Sequence, residues 1–169
     1  MIEPLRIAFE VHCPAQHAFA TWTSKTSEWW PPGARMSGDA AAEVVFEPRV
    51  GGRVFERASD GREVEWGEVT LWDPPRRVGY QWHIATDRQS ATDVEIAFIE
   101  LAADATRIEI EHRGWERLGP ERAQAWRDAN QAGWDGVLPA YRAACASWAG
   151  RASVGEGSPP GFREQEQQH

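Results

Sequence analysis

Thr106-Arg107-Ile108-Glu109-Ile110-Glu111-His112-Arg113 decides the fold class of this chain. Arg107, Glu109, Glu111 and Arg113 are charged, while Ile108, Ile110 and His112 hold the alternate positions. That period of two gives a strand one wet face and one buried face, so His112 points inward. The preceding stretches follow the same rule, with Val94, Ile96 and Phe98 on one inner face and Val78, Tyr80, Trp82 and Ile84 on another. From Glu43 to Trp115 the chain reads as six consecutive strands, separated by Gly51-Gly52, Asp60-Gly61, Asp73-Pro74-Pro75, a loop around Asp87 to Ala91, and Ala102 to Ala105. No crossover helix interrupts them, which predicts an antiparallel meander. Parity breaks between Val64 and Trp66 on one side and Val69 and Leu71 on the other. A bulge at Gly67 restores it and turns Glu68 to solvent.

Outward from the meander, Leu5, Ile7, Phe9 and Val11 alternate as a first strand. Pro14 then suits the first position of a helix capped by Cys13, and Ala15, Ala18, Phe19 and Trp22 carry it to about Trp22. A second helical turn covers Ser24 to Trp29 and stops at Trp30-Pro31-Pro32-Gly33. At the other end, Gly119 and Pro120 read as cap and first turn of a long helix. Its apolar stripe is Trp126, Trp134, Val137, Leu138, Tyr141, Cys145 and Trp148. Pro139 predicts a kink between Gly133 and itself, at a cost of about 3 kcal/mol, which burial of the stripe at roughly 1.5–3 kcal/mol per large residue offsets. The expected architecture is α+β, in the order β-α-(α)-β6-α. A curved antiparallel sheet of about seven strands wraps around one long C-terminal helix, because the sheet has one apolar face and the helix one apolar stripe to cover it. Residues 1–150 form a single domain. Residues 151–169, rich in Gly, Ser, Pro, Glu and Gln, are expected to be disordered.

Composition bounds the function. Ten tryptophans stand against five leucines in 169 residues, an inversion of ordinary usage that over-supplies large flat side chains. The net charge of −8 argues against a nucleic-acid partner, since phosphate binding needs a basic surface. No apolar run is long enough for a secretory signal or a membrane span, so a cytoplasmic location with Cys13 and Cys145 as free thiols is the expectation. His12, Cys13 and His17 are the only local group of metal-ligand residue types, but strand parity turns His12 outward and no Cys-x-x-Cys or His-Glu-x-x-His strengthens it; no metal is expected. Gly155, Gly157 and Gly161 neither follow a strand nor open a helix, so they make no phosphate loop, and no cofactor is expected.

Gly51-Gly52-Arg53-Val54-Phe55-Glu56, followed by Asp60-Gly61, Trp66-Gly67-Glu68-Val69, Asp73-Pro74-Pro75, Tyr80-Gln81-Trp82, Thr106-Arg107-Ile108, Glu111-His112 and Gly133-Trp134, resembles the pattern of the activator of heat-shock-protein-90 ATPase homologues, within the START-like (SRPBCC) superfamily. The resemblance spans about Leu5 to Trp148. It implies the helix-grip fold and a deep apolar cavity between sheet and long helix, which in the superfamily holds lipids, sterols, polyketides or other hydrophobic molecules. Nothing in this sequence matches the additional N-terminal domain with which the eukaryotic co-chaperone makes much of its chaperone contact.

Three readings of function follow. The first is a binding protein, not an enzyme, that holds a small hydrophobic molecule, aromatic, lipid or polyketide-like, against Trp66, Tyr80, Trp82, Phe98, Ile110, His112, Trp134 and Leu138. The second is an enzyme of cyclase, dehydratase or hydrolase type in the same cavity, with His112 as the candidate acid or base, since imidazole titrates near neutral pH. The third is a co-chaperone-like interaction module. Glu56 and Arg53 flank the Gly-Gly turn and read as hairpin decoration. Open sheet edges leave room for a homodimer.

Overall fold

The computed structural model describes residues 2–152. Strand β1 (Leu5–Val11) is followed by helices α1 (Ala15–Thr23) and α2 (Thr26–Trp29). Six strands come next: β2 (Glu43–Phe46), β3 (Arg53–Arg57), β4 (Glu63–Asp73), β5 (Arg77–Trp82), β6 (Thr92–Ala102) and β7 (Ala105–Arg113). Helix α3 (Ala123–Ala152) ends the described chain. All strands form one antiparallel sheet in the order β1-β7-β6-β5-β4-β3-β2. The meander follows sequence order, and β1 closes its far side by pairing Leu5 with His112, Ile7 with Ile110 and Phe9 with Ile108. Opposed residues of an antiparallel pair share a face, so β1 adds its apolar side chains to those of β7. This is the helix-grip arrangement, with α3 lying across the apolar face.

Much of the space between sheet and helices, where the resemblance implied a deep cavity, is filled by aromatic rings. Trp22 of α1 stacks on Trp134 of α3 at 5.9 Å between ring centres and meets Tyr141 edge-on at 4.8 Å. Trp29 touches Trp22 and Tyr141, and Phe19 packs on Phe98. The Tyr141 hydroxyl donates to the Ala18 carbonyl at 2.8 Å, which ties α3 to α1. The surplus of indoles therefore builds the core itself.

Several local expectations are corrected. Pro14, not Cys13, is the cap of α1: its extended backbone places its carbonyl to accept from Ala18 N at 2.9 Å, and no side chain caps the helix. Gly119 and Pro120 do not open α3. Residues Trp115–Leu118 form a 3-10 turn that Gly119 ends, and α3 starts at Ala123, whose N–H bonds to the Gly119 carbonyl at 3.0 Å. The helix is continuous through Pro139, and its stripe Trp134, Val137, Leu138, Tyr141 and Cys145 is buried as expected. It takes in residues 151 and 152, which were expected to belong to the tail; the rest of the expected tail, 153–169, lies outside the described residues.

The parity break in β4 is resolved by two irregularities rather than one. Trp66 is the extra residue against β3, where Gly67 faces Val54 and Glu65 faces Phe55, and Thr70 is the extra residue against β5. Gly67 is needed for a different reason: a Cβ there would sit 1.7 Å from the Gln81 carbonyl oxygen, so only glycine lets β4 and β5 approach. Glu68 ends half-buried instead of fully solvent-facing. Among the described residues no helix is long and apolar enough to cross a membrane.

Candidate ligand-binding site

Proline stops α2 and leaves Trp30 at its end, and residues Pro32–Ala34 turn directly afterwards. Trp82 is the last residue of β5, and Ile84 and Ala85 begin the loop beyond it. On α3, Trp126, Gly133, Trp134 and Val137 fall at spacings of seven, eight and eleven, which places them on one helix face. These three segments enclose an apolar cleft of about 240 Å3. Gly133, an exposed member of the lining, leaves open space beside the helix, since a Cβ there would meet nothing within 4 Å. Asn130 is the polar side chain of the lining, and one of its amide N–H groups donates to the Trp126 carbonyl at 2.9 Å.

A buried chain of hydrogen bonds joins the two walls. Trp134 Nε1 donates to His112 Nδ1 at 3.1 Å. An indole N–H can only donate, so Nδ1 is the acceptor and the ring proton sits on Nε2. His112 Nε2 therefore donates to Thr92 Oγ1 at 2.6 Å, and that hydroxyl donates to the Trp82 carbonyl at 3.3 Å. Trp115 packs on the imidazole at 4.3 Å between ring centres and donates to the His112 carbonyl. With no exposed surface, His112 is held neutral: burial pushes it down to about 3, against a small opposing effect of the Asp93 charge.

The residues predicted to line a site divide into three groups. Trp82 and Trp134 line the cleft. Trp66 lies beneath it, packed on Trp30 at 4.9 Å and on Trp82 at 5.5 Å between ring centres. Tyr80, Phe98, Ile110, His112 and Leu138 are core residues that do not line it. Burial raises the Tyr80 phenol, so it stays protonated. Sequence reasoning missed Trp30, Ile84, Trp126, Gly133 and Val137 as lining. The signal for Trp126, Gly133 and Val137 was their common face with Trp134. Trp30 gave none, because its role comes from the turn that follows it.

Glu56 requires a correction: it is wholly buried on β3 rather than decorating a hairpin, and its carboxyl accepts from the backbone N–H groups of Met36 at 3.2 Å and Ser37 at 2.6 Å. Arg53, its expected companion, stays on the surface side and lies over the Phe55 ring at 4.2 Å. Among the described residues no group of three or more His, Cys, Asp or Glu is placed to hold a metal ion. A recess of about 460 Å3 on the outer sheet face is lined by Arg6, Arg107, Glu109 and Glu111, whose charges pair with one another: Arg6 with Glu111 at 3.3 Å and Arg107 with Glu109 at 2.9 Å.

The family model described as Activator of Hsp90 ATPase homolog 1-like protein matches residues 12–140. Among solved structures, the anthrahydroquino-gamma-pyrone synthase Txn09, complexed with SUM, is 31% identical over 75% of this chain and 86% of its own, with a TM-score of 0.55. CalC from Micromonospora echinospora, described as a self-sacrificing resistance protein, is 22% identical over 82% of this chain and 91% of its own, with a TM-score of 0.59. A Mesorhizobium loti protein is 17% identical over 84% of this chain and 96% of its own, with a TM-score of 0.61. The last two likenesses show the fold alone. No curated protein matches the sequence.

Proposed function

From the premise that this chain belongs to the family of Activator of Hsp90 ATPase homolog 1-like proteins, we propose that it is a cytoplasmic binding protein for a small hydrophobic aromatic molecule, held in the cleft between β5 and α3. The observation that carries this reading is the cleft itself, walled by Trp30, Trp82, Trp126 and Trp134 and left open at Gly133. Indole faces favour flat rings by offset stacking and edge contacts, at about 0.5–1.5 kcal/mol per aromatic pair beyond area burial. The volume of about 240 Å3 lies just under the usual range of roughly 300–1,000 Å3 for ligand sites, which suits one or two fused rings.

Thermal shift and intrinsic tryptophan fluorescence against a panel of bicyclic aromatics test it. The parent is expected to bind members of the panel, and Gly133→Leu, which fills the cleft from the helix side, is expected to lose them while keeping its melting temperature. Equal binding by Gly133→Leu, or no binding by the parent, overturns the assignment.

A second reading, catalysis in the same cleft, draws support from the relative described as a synthase. His112 does not favour it, because both ring nitrogens are engaged and the ring is sealed. A proton-transfer role would fall to a group on the ligand. Liquid chromatography with mass spectrometry of each bound compound after incubation distinguishes the two: unchanged mass and retention time support binding alone, and a change in either, since a ring closure can leave the mass unaltered, supports turnover.

A further inference from the structure

The buried indole N–H groups beside and behind the cleft find acceptors, with one exception. Trp29 donates to the Thr21 carbonyl at 2.7 Å, Trp30 to the Ala34 carbonyl at 3.2 Å, Trp115 to the His112 carbonyl at 3.1 Å and Trp134 to His112 Nδ1 at 3.1 Å. Trp66 is the exception. It is 0% exposed, and its Nε1 has no hydrogen-bond partner among the described residues. Leaving a buried donor unpaired is unfavourable, and native structures leave few such groups without a reason.

Its position supplies one. Trp66, Trp30 and Trp82 form a triangle of rings with centres 4.9, 5.5 and 6.2 Å apart, and the other two members line the cleft. Trp82 is only half-buried, so it is the member with room to swing outward. Trp66 is held by contrast: its carbonyl accepts from His83 N at 2.8 Å, and Gly67 beside it is pressed against β5. A fixed donor behind a movable ring is a preorganised reader of a ligand's acceptor atom. No charged side chain lines the cleft, so an anionic acceptor would lose its hydration without gaining a counter-charge there.

We propose that Trp66 selects the occupant of the cleft by donating its indole N–H to a carbonyl oxygen on a small, neutral, flat aromatic ring system, reached when Trp82 turns aside. This rests on the cleft being a binding site. It adds the ligand's chemistry: an aromatic ketone is bound in preference to the hydrocarbon of the same shape.

The probes are 1-indanone and indane, which share a skeleton and differ in the carbonyl. Dissociation constants are measured for the parent and for Trp66→Phe, which keeps an aromatic ring and deletes the donor. Trp66→Phe is expected to weaken 1-indanone about tenfold, the worth of roughly one hydrogen bond, and to leave indane within about twofold. Equal effects on the two probes, or none on either, overturn the role of Trp66 while leaving the cleft as a binding site. Failure of the parent to bind either probe overturns both. Should Trp66→Phe not fold, carbonyl-labelled 1-indanone bound to the parent decides: a carbon-13 shift downfield of that of the ketone in cyclohexane, where nothing donates to it, supports donation to the oxygen, and a shift equal to the cyclohexane value overturns it.

Discussion

Trp134 on α3 and His112 on β7 are joined by an indole-to-imidazole hydrogen bond of 3.1 Å, and this contact makes the histidine a strut. Through Thr92 the same ring reaches the carbonyl of Trp82, so one imidazole ties together the helix wall and the sheet wall of the cleft. Its neutrality is a condition of that role. A proton on Nδ1 would set two donors, the indole and the imidazolium, against each other.

Stability should depend on pH through this residue. The folded-state value of about 3 lies below the roughly 6.5 of an exposed histidine, so the unfolded chain takes up the proton first as pH falls. The contribution is fully present above about pH 6.5. It is lost on acidification towards pH 3, at up to about 1.4 kcal/mol per pH unit. Urea unfolding at pH 7 and pH 5 should show the parent losing about 2 kcal/mol from this group, and His112→Gln should lose correspondingly less. The same pH response in both proteins would contradict the assignment.

The two glycines that differ most in surroundings should respond oppositely. Gly67→Ala places a methyl 1.7 Å from the Gln81 carbonyl oxygen, which forces β4 and β5 apart and should cost more than about 3 kcal/mol or prevent folding. Gly136 lies inside α3 with nothing within 4 Å of its Cβ position. Gly136→Ala should stabilise by about 0.5–1 kcal/mol, because alanine loses less backbone freedom in a helix. Thermal melts of the two variants check both signs.

What the sequence disclosed follows from which forces are local. Arg107 to Arg113 announced their strand because water on one face and core on the other sort residues by a period of two, and the Trp134 to Cys145 stripe did the same at helical spacing. Helix starts were displaced by one residue at α1 and by three at α3, where backbone carbonyls, which carry no sequence signal, close the first turn. The cleft was half legible. Trp82 and Trp134 were readable as inward aromatics, but Trp30 joins them only when a segment about a hundred residues away folds back on α3. Glu56 was misplaced for a related reason: the groups that satisfy it are backbone N–H donors of Met36 and Ser37, in a segment without any pattern.

The cysteines should be chemically silent in the native protein. Cys13 and Cys145 are both fully buried, and their thiols hydrogen-bond each other; that bond lowers Cys13, while the same bond together with burial raises Cys145. Reaction needs an exposed thiolate. A thiol-titrating disulfide reagent at pH 8 should therefore label neither cysteine in the folded chain and both in guanidinium. Rapid labelling of even one under native conditions would show that the junction of β1, α1 and α3 opens locally.

Glu56 should hold the roof of the cleft. Its carboxyl binds Met36 and Ser37, which end the segment that begins with Trp30, and Trp30 in turn covers Trp66. Replacing it by alanine leaves two N–H groups without their acceptor and a void where the carboxyl was, a combined loss of about 2–4 kcal/mol. Glu56→Gln keeps one oxygen acceptor and nearly the same shape, so it should lose less than half as much. The two variants also separate local from global effects. If the carboxyl acts by pinning this segment, amide exchange at Met36 and Ser37 should accelerate in Glu56→Ala more than exchange in β6 and β7, and aromatic ligands should dissociate faster from that variant. Uniform acceleration across the whole sheet would instead make Glu56 an ordinary member of the core, with no particular hold on the cleft.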